Sequence, residues 1–102
     1  MDPGRPEGVV LSEVCFSVKW HGRVQGVGFR ATVRGACIAR RVVGWVRNTE
    51  AGDVEAMLRG ERADVDAALE AVFNEMRDLI SEFEIREANC PSDRPTSFEI
   101  RR

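Results

Sequence analysis

The apolar residues of this chain change period in a fixed order, and that order leaves few folds open. From Val14 to Trp20, Val14, Phe16, Val18 and Trp20 alternate with Cys15, Ser17 and Lys19. A period of two marks a half-buried strand. From Phe29 to about Arg40, the residues Phe29, Val33, Ala36 and Cys37 recur at helical spacing, with Gly35 as a mild interruption. Val42 to Asn48 is β-branched and aromatic, a second strand. Thr49 to Gly52 reads as a tight turn, and Asp53 to Arg59 alternates again with Val54, Ala56 and Leu58 on one face. Those two runs predict a hairpin. Val65, Ala68, Leu69, Val72, Phe73 and Met76 form a second helical stripe, with Asp64 and Asp66 near its positive end. Phe83 and Ile85 alternate with charged neighbours as a fourth strand. After a loop bracketed by Pro91 and Pro95, Phe98 and Ile100 form a closing one. The order β-α-β-β-α-β plus a short final strand predicts an α+β fold: one antiparallel sheet with two helices on one face.

A chain of 102 residues suits one such domain. Residues 1–10, with two prolines and two glycines and no long apolar core, read as a disordered leader rather than a signal peptide, and residues 11–102 as the domain. No apolar run is long enough to span a membrane, and a net charge of −2 gives no bias toward nucleic acid. The basic residues are nearly all arginine, Lys19 being the only lysine. Cys15, Cys37 and Cys90 are far apart and form no C-x-x-C pair, so no zinc site is expected. Reduced thiols in a cytoplasm are the expectation, with Cys37 on the apolar face of the first helix.

Between the first strand and the first helix lies His21-Gly22-Arg23-Val24-Gln25-Gly26-Val27-Gly28-Phe29-Arg30. A loop entering a helix exposes unpaired backbone N–H groups, and the helix dipole adds positive charge. Glycines let successive amides converge on one anion, and Arg30 in the first turn can fold over the same point. The spacing is neither a nucleotide P-loop nor a dinucleotide fingerprint. Taken alone it also fits a plain tight turn. A second signal is Gly44-Trp45-Val46-Arg47-Asn48-Thr49. Asn48 ends a strand expected to lie beside the first, and its carboxamide can donate to and accept from a water at once. Strand-end asparagine also serves turns.

Together these segments, with Gly52 to Glu55 and the ending Phe98-Glu99-Ile100, resemble the acylphosphatase family over roughly Phe16 to Ile100. The resemblance implies a ferredoxin-like α/β sandwich and hydrolysis of a carboxyl–phosphate anhydride to carboxylate and inorganic phosphate. It implies that the amides of Gly22, Arg23, Val24, Gln25, Gly26, Val27 and Gly28 hold the phosphoryl group. Arg30 pairs with its oxygens, and Asn48 orients the attacking water. The leaving group is a weak base, so no general acid is required, in keeping with a single histidine. No clustered acidic residues accompany the motif, so neither catalytic Mg²⁺ nor any other cofactor is expected. The expected partner is a small acyl phosphate, with neither nucleic acid nor membrane, and a monomer is the default.

His21 adjoins the loop but shows no carboxylate orienter in sequence, so packing or exposure is its expected role. Trp20 and Trp45 are expected to pack the sheet, and Arg47 to be solvated. The chain departs from the family after the second helix. Met76-Arg77-Asp78-Leu79-Ile80 replaces a Gly-Pro-rich turn, a change expected to leave both catalytic positions untouched. The alternative is a ferredoxin-like module that holds an anion without turnover. An RNA-binding domain would want exposed strand aromatics, which the third strand lacks.

Overall fold

A computed structural model describes residues 13–102, so the leader expected over residues 1–10 lies outside the described residues. The elements run β1 (Glu13–Gly22), α1 (Phe29–Ile38), β2 (Val43–Asn48), β3 (Val54–Glu61), α2 (Arg62–Met76), a 3₁₀ turn (Arg77–Leu79), β4 (Ile80–Ala88) and β5 (Phe98–Arg101). The order read from periodicity is the order found.

The sheet is ordered β4-β1-β3-β2-β5. β1 pairs antiparallel with β3 and β4, and β2 antiparallel with β3. β5 joins the outer edge of β2 in parallel, Gly44 opposite Phe98, so the sheet is mixed rather than wholly antiparallel. A second difference bears on the site. β2 was expected beside β1, but β3 lies between them, because a two-strand hairpin entered the sheet with its second strand innermost. Asn48 therefore sits across Val54 of β3, two strands from β1.

Burial follows the alternation in β3, while in β1 Cys15 is buried on the other face as well and Ile85 and Ile100 of the edge strands are exposed. Val14, Phe16, Val18 and Trp20 of β1 join Val54, Ala56 and Leu58 of β3 in one core with Phe29, Val33 and Cys37 of α1 and Val65, Leu69 and Val72 of α2. Burying a side chain of this size stabilises by about 1.5–3 kcal/mol each. Trp20 is fully buried, its ring 5.2 Å from that of Phe29, the first residue of α1. Phe73 meets Phe83 edge to face at 4.4 Å and ties α2 to β4. On β2, Trp45 is half-buried beneath the guanidiniums of Arg47 and Arg101, 5.6 and 5.0 Å from its ring. Arg47 is exposed yet pairs with Glu55 at 2.7 Å rather than standing free in water.

The expectation of reduced thiols is corrected at two positions. Cys15 of β1 and Cys90 after β4 form a disulfide across 75 residues, because antiparallel pairing of β1 with β4 brings the end of β4 beside Cys15. The placement in a cytoplasm loses that support. Cys37 is a free, buried thiol whose pKa is pushed up to about 12 by burial.

Candidate active site

The site is built where β1 hands over to α1. The ladder between β1 and β4 is irregular at His21 and Gly22. Gly22 has φ 128°, and a Cβ there would overlap the Leu79 carbonyl and lie 2.7 Å from Ser81 N. Only glycine lets the chain leave the sheet so close to β4. Arg23 N then donates to Leu79 O at 2.8 Å. The unusual segment after α2 thus supports the loop directly, although none of its residues lines the cavity with Arg30 and Asn48.

Val24 turns into the core and is fully buried, an apolar plug that holds the loop down. Gln25 reaches the other way. Its carboxamide nitrogen donates to Thr49 O and Asp53 O, both at 2.9 Å, joining the loop to the turn that follows Asn48. Within that turn Thr49 N donates to Asp53 O at 2.9 Å and Asp53 N to Thr49 Oγ1 at 3.2 Å. Sequence reasoning assigned Gln25 only a backbone role. The side-chain bridge spans 24 and 28 residues, a register no local pattern reveals.

Gly28, with φ 80° and ψ 16°, caps α1 in the left-handed conformation. No side chain caps the helix and no acidic residue stands in its first turn, so the early N–H groups keep their donor capacity. A Cβ at Gly28 would meet nothing within 4 Å: the glycine faces open space. That space is a cavity of about 180 Å³ lined by Gly26, Gly28, Arg30 and Asn48, with Val24, Phe29, Ala31 and Ile100 around them. A larger groove lies on the open sheet face near Lys19 and Glu84, but it holds no glycine amides.

Of the predicted residues, Val24, Gly26, Gly28, Arg30 and Asn48 line this one cavity, and Gly22, Arg23, Gln25 and Val27 do not. Arg30 is half-buried and forms no ion pair among the described residues, so its charge is unspent. Asn48 Oδ1 is buried with no hydrogen-bond partner among the described residues. An orphaned buried acceptor costs about 1–3 kcal/mol, which a water or substrate donor would offset. Arg23 and Val27 are exposed at the loop rim, outside the cavity lining. Among the described residues no group of His, Cys, Asp and Glu is arranged to hold a metal ion.

His21, expected to pack or to be exposed and to lack a carboxylate orienter, is half-buried and differs on the last point. It has two carboxylate partners: Nδ1 lies 2.8 Å from Asp53 Oδ1 and Nε2 2.6 Å from Glu84 Oε2. Its partner strands could not be read from sequence.

The sequence profile of the acylphosphatase family matches residues 16–100. An acylphosphatase of Acaryochloris marina is 46% identical over 57 residues, 56% of this chain and 61% of that protein. The aligned region is thus somewhat under two thirds of that relative's length. An acylphosphatase of Methanothrix thermoacetophila is 40% identical over 78 residues, 76% of this chain and 87% of the relative. The crystal structure of acylphosphatase from Bacillus subtilis superposes with a TM-score of 0.78 at 28% identity, covering 87% of this chain and 99% of that one.

Proposed function

The chain belongs to the acylphosphatase family, and from that premise we propose that it hydrolyses small acyl phosphates to a carboxylate and inorganic phosphate at the cavity between the 22–28 loop and Asn48. The amides of Gly26 and Gly28 and the first N–H groups of α1 receive the phosphoryl oxygens, and the Arg30 guanidinium closes over them; the Arg23 amide, expected among these donors, is instead taken up by Leu79 O. Asn48 holds the attacking water through its carboxamide. The water oxygen bonds to phosphorus as the bond from phosphorus to the acyl oxygen breaks. The electron pair leaves with the carboxylate, and the water's proton passes to a phosphate oxygen.

Each role suits the chemistry. Phosphoryl transfer asks mainly for positioning and for charge stabilisation, which fixed donors supply. A carboxylate leaves without protonation, so no general acid is needed. The chain's one histidine is engaged by two carboxylates rather than aimed into the cavity. The observation that carries the proposal is the buried, unpartnered Oδ1 of Asn48 in the same cavity as Arg30 and the glycines. It also weighs against a module that only holds an anion, since such a site has no use for an orphaned acceptor beside its donors. We propose further that the enzyme acts as a monomer without metal.

The experiment is hydrolysis of benzoyl phosphate by the purified protein with EDTA present, beside Asn48→Ala. Turnover that survives chelation and is lost in the variant is the expected result. Phosphate binding without turnover in the unaltered protein would instead establish the non-catalytic module.

A further inference from the structure

Resting on the reading of the loop as the phosphate site, we infer that His21 is a positioning residue: as an imidazolium it pins the start of the glycine loop, the β2–β3 turn and β4 to one another. His21 is the last side chain before Gly22. Its two ring nitrogens lie within hydrogen-bond reach of carboxylates on two different elements, Asp53 of the turn and Glu84 of β4. Ionised carboxylates only accept, so both nitrogens must donate, and only the doubly protonated ring has two N–H groups. The hydrogen bond to Glu84 raises its pKa most; partial burial opposes this, and the hydrogen bond to Asp53 adds to the rise.

The surrounding charges favour the same state. Glu82 stands opposite His21 in the ladder, and Lys19 lies between Glu55 of β3 and Glu84 of β4. Glu55 is engaged by Arg47. Arg86 lies further along β4, and Arg23 is exposed in the loop. Asp53 and Glu84 are the carboxylates that reach the ring.

The clasp reaches the chemistry through Asp53. Its main chain holds both Gln25 of the loop and Thr49, the neighbour of Asn48. Its side chain is held by His21. On the other side β4 carries Glu84, and the segment leading into it offers the Leu79 carbonyl that anchors Arg23. A neutral ring has one N–H for two carboxylates, and its lone pair would face the other. One arm then opens, and the loop amides lose their fixed spacing from Asn48.

The enzyme therefore holds its anion more weakly once His21 loses its proton. The single histidine gives one imidazole titration by NMR, free of overlap. KM for benzoyl phosphate, and the inhibition constant of sulfate, whose charge is constant over this range, are measured in parallel from pH 5 to 9. Both should rise about three- to tenfold with the midpoint of the ring titration, with kcat changing less. His21→Gln should show the weaker binding throughout, without the inflection. Glu84→Gln removes one carboxylate from an exposed position and should move the ring midpoint and the kinetic midpoint down together. If sulfate binds but turnover is absent, the acylphosphatase reading fails while the sulfate series still tests the clasp. A flat sulfate constant, an inflection that persists in His21→Gln, or midpoints that part company in Glu84→Gln would each overturn the inference and leave the reading of Arg30 and Asn48 standing.

Discussion

The two ends of β1 are fastened by different chemistry. At its start, Cys15 is bonded to Cys90, and Glu13 lies between Arg59 at 3.3 Å and Arg94 at 3.0 Å. Arg59 also donates to Pro91 O at 2.8 Å. At its far end the fasteners are the side chains of His21 and Gln25 and the carbonyl of Leu79. The first end uses covalent bonding and arginine pairs. The second holds its loop with two side chains and one backbone bond, from Arg23 N to Leu79 O, and leaves Arg30 and the early N–H groups of α1 unspent. A site proposed to receive an anion needs its remaining donors left free.

The largest expected effects break the functional end and leave the other intact. Asn48→Ala should lower kcat by at least about 10²–10³, the usual cost of removing a preorganised polar group from a charge-stabilising site, while inorganic phosphate still binds. Arg30→Ala should lose turnover and phosphate binding together. Thermal unfolding should barely move in either, since neither side chain belongs to the core. Near-normal turnover in Asn48→Ala would remove the water-positioning role. Isotope-detected phosphate titration separates the two variants.

Breaking the other end should do the reverse. Reduction of the disulfide, or Cys90→Ala, should cost about 2–4 kcal/mol of stability, because the bond closes a long loop in the unfolded chain. Turnover at 25 °C should be unchanged, since Cys15 and Cys90 are remote in the ladder from Gly22. Thiol labelling at pH 8 sharpens the point. The native protein should take up no label, because Cys37 is buried with its pKa pushed up to about 12. The unfolded protein should take up one label without reductant and all three cysteines should react with it. Three labels without reductant would show the Cys15–Cys90 bond to be absent.

The same contrast separates what sequence could reveal from what it could not. Strand and helix identity is local, a matter of period, and Val14 to Trp20 or Val65 to Met76 display it without help from the rest of the chain. Arg30 and Asn48, which line one cavity, stand out in sequence because each sits inside a contiguous motif. The disulfide, the Gln25 bridge and the His21 clasp all depend on which strands become neighbours and in what register. The position of β3 between β1 and β2 decides that Asp53 faces His21, and nothing within either segment encodes it. The 3₁₀ turn was noticed as a departure, but its value lies in one carbonyl, Leu79 O, whose direction is a property of the assembled backbone.

The smallest expected effect concerns proton linkage, and its sign differs between the two ends. His21 has a raised pKa, so its contribution to stability is full below about pH 6.5, the unfolded value, and is lost as pH rises through the folded one. Glu13 is the opposite case. Burial acts to raise its pKa, but hydrogen bonds from Arg94 and Arg59 outweigh that and hold it below the ordinary value. Its contribution is therefore present above the unfolded pKa, near 4.5, and lost as pH falls through the folded one. Arg94 is half exposed, which keeps the pair to about 1 kcal/mol or less. Urea midpoints of Glu13→Gln should lie slightly below those of the unaltered protein at pH 6 and converge with them near pH 3. His21→Gln should differ most at pH 5 to 6 and converge above pH 8. If both variants converged with the unaltered protein on the same side of neutrality, the two ends of β1 would not be held by groups of opposite charge response, and the contrast drawn from their geometry would fail.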